Sequence, residues 1–539
     1  MNITGYHCNG KILADSNGNW TDKLPYLGFI LSSTDDVKVF YDLDRDVACI
    51  LKNINLPPEL GKELFEKERT LYEECKLTYF NGRLFGIDFG NITCSLSDTK
   101  QYRKTEDTIV AELVIPQVVE LARIAKQTAE KVLASLQKFG LHPDKLTSPI
   151  SIYEKEVMPK LNIPNYTNYP KIINDLSCDC LDGNWIEAFQ VGHWNKVYDY
   201  DLNGAYPFQL SKLFDISKGT WVHSCEYQEK ATYFIGYCQV TINSDFSPIA
   251  YTLTDNNSIV TQKSTPTGTF VRILNKRAID YIKYYDVDEV EILDGYWFFR
   301  NINSPQIFTS EINRMYKFKQ TGTEMDKEIA KRLYSGIWGK MQEQYKNNYN
   351  DNFRYGKFNN FFYAAEVELN TKLLIAETCI HNNIVPLYIN ADGFITDKEL
   401  TNIKLSTELG NWKLNKTGKC FIIGDGTATI EEEKPQNMYN SEDLILRYDW
   451  LRNQIEQKPN SQTYTMTRKT RITLGMALNN YKWEQLGNII DLTRNIELGW
   501  SNERNFPKLP NTGKQLLKNT YNSLPLDVSM LKVSEEMNK

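Results

Sequence analysis

Residues 383–397, NIVPLYINADGFITD, decide how this chain is read. An apolar run reaches Ile389, a polar tip follows at Asn390-Ala391-Asp392-Gly393, and a second apolar run begins at Phe394. That pattern predicts a tight hairpin with Asp392 at its tip. A lone aspartate in such a place is ordinarily a turn residue, its side chain bonded to nearby backbone. A second segment follows the same logic. Residues 196–200 (KVYDY) predict a strand, and Asp201 ends it just before LNGAYP. Carboxylates at the end of one strand and at an adjacent hairpin tip can share two magnesium ions, which stabilise an attacking hydroxyl and a leaving pyrophosphate in line. Asp199, two residues before Asp201, falls on the same strand face. It reads either as added negative charge for that pair or as a hydrogen-bonded strand-edge residue.

A third segment, KQTGTEMDKEIAKRLYSGIWGK at 319–340, supplies cations. Lys327 and Lys331 are one helical turn apart and share a face, with Lys319 just upstream. Phosphoryl-type transfer asks little of a protein beyond metals, cationic clamps and positioning, and these lysines suit a triphosphate. The competing reading is a solvated helix face, with Glu324 and Glu328 pairing with the neighbouring lysines.

The whole chain sets the frame for these segments. At ~150 residues per domain, 539 residues make about three or four domains. Apolar residues at 41% and charged residues at 24% support several buried cores, which excludes a disordered chain, a fibre or a disulfide scaffold. Net charge is -6, so groups that grip nucleic acid must be concentrated in a cleft. Residues 311–346 carry eight Lys or Arg against five Asp or Glu, a local surplus of three. The ten cysteines form no C-x-x-C pair and the five histidines no ligand spacing. Reduced thiols in a cytoplasm-like compartment, no zinc, and any metal on oxygen ligands are expected. Neither a membrane span nor a signal peptide is read.

Along the chain, 26–50 reads as β-rich, and 78–95 as a hairpin turning at Asn81-Gly82. Residues 108–139 read as a helix kinked at Pro116 and closed by Gly140. A connector is expected at 158–170 and a strand at 286–300. Helices are expected at 310–343, broken at 320–323, and a mainly helical, polar stretch over the last hundred residues.

Taken in order, the three charged segments resemble the polymerase motifs of family B DNA polymerases, most like the protein-primed branch of phages and linear plasmids. The family's D-x-N-S-L-Y-P is met by Asp201-Leu202-Asn203-Gly204-Ala205-Tyr206-Pro207. Its K-x-x-x-N-S-x-Y-G is met by Lys331 through Gly339, with Ser335-Gly336 for Asn-Ser and Trp338 for Tyr. Its Y-x-D-T-D-S is met by Tyr388-Ile389-Asn390-Ala391-Asp392-Gly393, with Asn390 for the first Asp. The likeness extends from about 148 to 435.

The resemblance implies an α+β, multidomain right-hand polymerase. Its palm would be 180–305 and 345–432, its fingers 306–344 and its thumb 433–539, after an N-terminal α/β domain at 1–179. It makes Asp201 and Asp392 the binders of two Mg2+ ions (Mn2+ being the substitute), with the Leu202 carbonyl as an extra ligand. Catalytic weight falls on Asp201, Asp392 and Lys331. Nucleotide contacts fall on Leu202, Asn203, Tyr206 (which would exclude a ribose 2′-hydroxyl), Lys319, Lys327, Lys331 and Ser335. DNA contacts fall on Gly183, Trp338 and Gly339. Gly183 is what survives in CLDGNWIEAF of the family's Tyr-x-Gly-Gly linker motif. The family's primer-strand lysine is missing near Gly-Thr-Ala at 426–428. Arg468, Lys469 and Arg471 either grip duplex phosphates in its place or form a solvated loop.

Residues 1–200 contain no Asp-x-Glu, the carboxylate pair that a proofreading exonuclease of this family uses. The cluster Asp42, Asp44 and Asp46 reads as a turn. The N-terminal domain is therefore expected to be a degenerate ribonuclease-H-like fold without proofreading, or a template- or partner-binding platform. A long strand-displacement insertion between the second and third motifs is not expected. The implied function is templated addition of dNTPs to a primer 3′-hydroxyl, in replication of a phage or mobile-element genome within a bacterial cytoplasm. Implied partners are primer-template DNA, dNTPs and a terminal or priming protein. The alternatives are a primase-like or template-independent nucleotidyltransferase, and a catalytically inactive polymerase-fold scaffold that binds nucleic acid.

Overall fold

The hairpin forms as its sequence dictates. In the computed structural model, strand Tyr388–Asn390 turns through Ala391 and Asp392 into strand Gly393–Thr396, with Asn390 paired to Gly393. Ala391 takes the left-handed conformation, φ 59°, and its N–H donates to the Trp185 carbonyl at 2.8 Å. The structure describes residues 2–528 apart from 24, 36, 81, 104–112, 255–260, 286–287, 347–352, 432–445 and 500–503.

Around this hairpin a seven-stranded sheet is assembled. Its spatial order is Thr427–Ile430, Trp412–Gly424, Gln190–Leu202, Gly393–Thr396, Tyr388–Asn390 and Ile186–Ala188, with Tyr521–Asn522 added on the Gln190 strand. Helix Phe361–His381, which packs against helices Lys171–Cys180 and Ala205–Ser211, is apolar on nearly every side and accordingly buried along most of its length. A separate four-stranded antiparallel sheet, Gly219–His223, Asp288–Arg300, Tyr233–Ile242 and Gly268–Asn275, follows the Asp201 segment in sequence. Two helices, Thr309–Thr321 and Glu324–Met341, are separated at the expected break. Thr323 caps the second, accepting from the Asp326 N–H while Asp326 reaches back to the Thr323 N–H. Between the second and third motifs lie an antiparallel strand pair, Gln344–Lys346 with Phe353–Tyr355, and the buried helix.

The N-terminal sheet has eight strands. The antiparallel set Trp20–Thr21, Ile12–Asp15 and Ile3–Asn9 continues into Val37–Phe40 and Ile92–Asp98, both running parallel. A meander of Leu84–Phe89, Cys75–Phe80 and Arg69–Tyr72 completes it. Helix Ile115–Lys138 packs across it so closely that a Cβ on Gly5 would lie 2.0 Å from the Ala122 carbonyl oxygen.

Several local expectations are corrected. Residues 26–50 are mostly helical: Tyr26–Leu31 and Leu43–Asn53 flank one strand, because Leu43, Val47, Ile50 and Leu51 recur at helical spacing. Asp44 and Asp46 occupy the first turn of the second helix rather than a free turn. Pro116 does not kink a helix. It lies in the first turn of Ile115–Lys138, where its missing N–H costs nothing. Gly140, at φ 74°, follows that helix as expected. Of the 78–95 hairpin, Asn81 lies outside the described residues and Gly82 has φ 66°. The last hundred residues hold two long paired strands, Thr463–Arg471 and Ile489–Glu497, beside helices Tyr448–Gln457 and Gly513–Lys518. The alternation in TYTMTRKTR is a period-2 signal that outweighs the polar composition. All ten cysteines are free. Among the described residues no helix is long and apolar enough to cross a membrane.

Candidate active site

Antiparallel pairing brings the two sequence-predicted aspartates together. Asp201 is the register partner of Gly393, and the Leu202 N–H donates to the Asp392 carbonyl at 3.1 Å. A Cβ on Gly393 would meet the Tyr200 carbonyl oxygen at 2.7 Å and Asp201 Oδ1 at 3.3 Å, so glycine here permits the close approach. Burial and the neighbouring Asp201 carboxylate push the Asp392 carboxyl up to about 6. Two carboxylates are thus crowded in a partly desolvated place, the condition that shifts pKa values at functional sites.

Both aspartates line an open cavity of about 560 Å³ with Asp199, Asn390, Asn415, Lys416, Arg447 and Tyr448. Asp199 accepts a hydrogen bond from Asn415 Nδ2 at 2.8 Å, and burial raises its carboxyl. It is therefore both hydrogen-bonded and part of the cavity wall.

Strand Trp412–Gly424 supplies groups that the sequence reading missed. Asp201 pairs with Lys413 and Asp199 with Lys416, with a bulge between them at Asn415. The extra residue lets lysines three apart lie opposite aspartates two apart. Lys413 Nζ lies 2.6 Å from Asp201 Oδ2. Lys416 and Arg447 also stand on the cavity wall.

The helical pair Thr309–Thr321 and Glu324–Met341 presents the other predicted cations. The Lys319 ammonium sits 5.0 Å from the Tyr316 ring centroid and 5.7 Å from that of Tyr334. Burial, with Lys413 and Lys331 nearby, lowers its pKa. Lys331 is exposed on the second helix. Lys327 pairs with Glu324 at 3.0 Å, and Glu328 with Arg332 at 2.7 Å, so this part of the helix follows the solvated-face reading.

Tyr206 lies in helix Ala205–Ser211, directly after the Asp201 turn. Its ring packs on Trp338 with centroids 4.6 Å apart, and its hydroxyl donates to Asn184 Oδ1 at 2.6 Å. Trp338 Nε1 in turn donates to the Ala364 carbonyl at 3.1 Å. Ser335 and Gly339 are exposed on the same helix, with open space above Gly339. Gly336, the motif's other departure, abuts Ile150, where a Cβ would come within 2.6 Å. Packing against helix Pro149–Glu156 accounts for glycine at that position.

Two expectations are redirected. Asn203 is buried, and its Nδ2 donates to the Ser406 carbonyl at 2.6 Å and the Asn411 carbonyl at 3.1 Å. It fixes the Asp201 turn rather than facing a nucleotide. Arg471 is buried, with Nη1 donating to the Gly487 carbonyl at 2.7 Å, and so is directed away from a duplex. Lys469 is exposed on the same strand and Arg468 half-buried.

The CLDGNWIEAF segment holds the hairpin from the side. Gly183 turns at φ 80°, and Ile186–Ala188 pairs with Tyr388–Asn390. Glu187, fully buried, accepts from Trp185 Nε1 at 2.6 Å and pairs with Arg504 Nη1 at 2.7 Å.

The donor set fits magnesium. Two carboxylates and an adjacent backbone carbonyl are hard oxygen ligands, and a divalent cation relieves the repulsion that raises the Asp392 carboxyl. Among the described residues no three His, Cys, Asp or Glu side chains converge as a metal-holding group.

Comparison with known proteins bears on the fold. No family model matches the chain. A DNA polymerase of the Acidianus bottle-shaped virus (isolate Italy/Pozzuoli) is 22% identical over 277 residues. The match takes in 46% of this chain and 38% of that protein, so the chain spans well under half the length of this curated relative. Among solved structures, the phi29 DNA polymerase complexed with primer-template DNA and incoming nucleotides aligns with a TM-score of 0.60 at 12% identity. The alignment covers 92% of this chain and 99% of that one. The binary complex of the same polymerase with primer-template gives a TM-score of 0.59 at 12% identity, covering 92% and 100%. The chain has the mixed α+β, multidomain fold of that polymerase.

Proposed function

We propose that this chain is a DNA-directed DNA polymerase that adds dNTPs to a primer 3′-hydroxyl and releases pyrophosphate. One observation carries the reading: Asp201 and Asp392, 191 positions apart in sequence, are brought into contact at the wall of an open cavity. The fold shared with a polymerase captured on primer-template and nucleotides supports it. The curated relative is a viral protein, which supports a role in copying a viral or mobile-element genome.

Asp201, Asp392 and the Leu202 carbonyl would hold magnesium. When bound, two such ions lower the cost of the attacking alkoxide and the leaving pyrophosphate. The chain's own side chains do the rest. Lys331 and Lys319 neutralise the triphosphate, Lys319 arriving already partly desolvated. Tyr206, braced by Trp338 and Asn184, forms a floor beneath the sugar and leaves no room for a 2′-hydroxyl. Lys416 and Arg447 meet the primer strand along the cavity. The division into palm (180–305 and 345–432), fingers (306–344) and thumb (433–539) belongs to the same proposal.

Extension of a labelled primer on a defined template, on an unrelated template and with no template tests the reading, with dNTPs and NTPs compared. Template-directed dNTP addition is expected. Equal addition without template would favour a terminal extender, and no addition by protein that still binds primer-template would favour a scaffold.

A further inference from the structure

We propose that Lys413 is a resident cation of the carboxylate pair, competing with divalent metal for Asp201 and so setting the metal demand of the site. The inference rests on reading Asp201 and Asp392 as the metal-holding pair.

Three observations carry it. Lys413 is the direct cross-strand partner of Asp201, with Nζ 2.6 Å from Oδ2. Asp201 lines the cavity, its side chain is 25% exposed and that of Lys413 40%, so the contact is open to the solvent from which a metal ion must come. The third position at which a carboxylate would add negative charge is Asn390, which stands on the same cavity wall. The pair therefore offers two negative charges and already holds one positive charge against them.

An ordinary exposed cross-strand ion pair contributes little, because water serves both partners nearly as well. Here Asp201 has a second neighbour. Its carboxylate also faces Asp392, so a cation joining the two carboxylates either binds Asp201 through Oδ1 against the charge of the ammonium on Oδ2 or displaces that ammonium. Lys319 and Lys331 lie close enough for their charges to act together with that of Lys413. The ammonium that is displaced thus remains beside the cations assigned to the triphosphate. A metal that binds oxygen and nitrogen donors tightly, such as Mn2+, displaces the lysine at lower concentration than Mg2+, which gives up its water reluctantly.

Mn2+ titration of the full-length chain, with free Mn2+ read by electron paramagnetic resonance, tests this in the absence of turnover. Wild type, Lys413→Met, Lys413→Arg and Asp392→Asn are compared, and a thermal melt of each establishes that it is folded. Lys413→Ala substitutes if the methionine variant does not fold. Removing the ammonium should tighten Mn2+ binding about tenfold or more, while Lys413→Arg stays near wild type. Asp392→Asn should lose the site. Unchanged or weaker binding by Lys413→Met, with the site lost in Asp392→Asn, would overturn the role of Lys413 and leave the metal pair standing. Equal binding by Asp392→Asn and wild type would overturn the pair itself.

Discussion

The central sheet and the N-terminal sheet both carry aspartates at or just beyond strand ends, and they use them in opposite ways. Around the hairpin, Asp199, Asp201 and Asp392 face an open cavity, and two of them crowd each other. Beside the N-terminal sheet, Asp42, Asp44, Asp46 and Asp98 turn inward. Asp46 is fully buried, lies 2.7 Å from His7 Nδ1, and accepts the Cys8 and Asp42 N–H groups at 3.1 Å each. Asp42 meets Lys100 at 3.0 Å, Asp44 accepts from the Tyr79 hydroxyl, and Asp98 accepts the Leu43 N–H at 3.0 Å. A carboxylate whose lone pairs are answered from within is part of the scaffold. Carboxylates held together against open space are available for chemistry.

Lys331→Ala should break the central-sheet side of this comparison most strongly. Single-nucleotide incorporation should fall about 10²–10³-fold in kcat/KM, as for loss of one charged transition-state contact. The melting temperature should hold, because Lys331 is exposed.

Asp46→Ala probes the other side. Leaving the buried Cys8 and Asp42 N–H groups without their acceptor should cost about 3 kcal/mol in a denaturant melt. Incorporation per folded molecule should not change. Loss of incorporation by folded Asp46→Ala would mean that the N-terminal cluster is not merely structural.

Tyr206→Val sharpens the reading of the sugar floor. Preference for dNTP over NTP should drop by about tenfold or more, because a shape contact and not a charge is removed. Competition between labelled dNTP and NTP at one template position reads this directly.

The smallest effect tests the same rule within the central domain itself. Glu366, buried in helix Phe361–His381, is pushed up to about 7 from an ordinary 4.5 by burial. The native state keeps a proton that the unfolded chain releases. The associated stability is fully present below about pH 4.5 and is lost as pH rises towards 7, with a slope of up to about 1.4 kcal/mol per pH unit. Glu366→Gln should flatten the dependence of the melting temperature on pH over this range and make the protein more stable than wild type at pH 8.

What was legible in the sequence was what local chemistry decides. The hairpin at 383–397, the strand running into Asp201 and the break between the two helices follow from apolar runs, turn residues and a capping threonine. The two aspartates were legible as a pair through motif order, although nothing local requires them to meet. Lys413 and Lys416 were hidden by the bulge, since strict alternation puts residues three apart on opposite faces. The Glu187–Arg504 pair joins residues 317 positions apart, and Trp483 packs on Gly61 across the fold. Contacts of that range leave no periodic trace. At 26–50, β-branched and aromatic residues suggest strands, and burial of Leu43–Asn53 on nearly every side overrides that preference.

The most direct measurement is magnesium-dependent primer extension by wild type beside Asp392→Asn, with primer-template affinity measured for both. The structure predicts templated dNTP addition by wild type. In the variant, addition should fall by at least about 10³-fold, or about 4 kcal/mol of barrier, at similar DNA affinity. Extension by Asp392→Asn at the wild-type rate would contradict the assignment of the Asp201–Asp392 pair as the centre of the reaction.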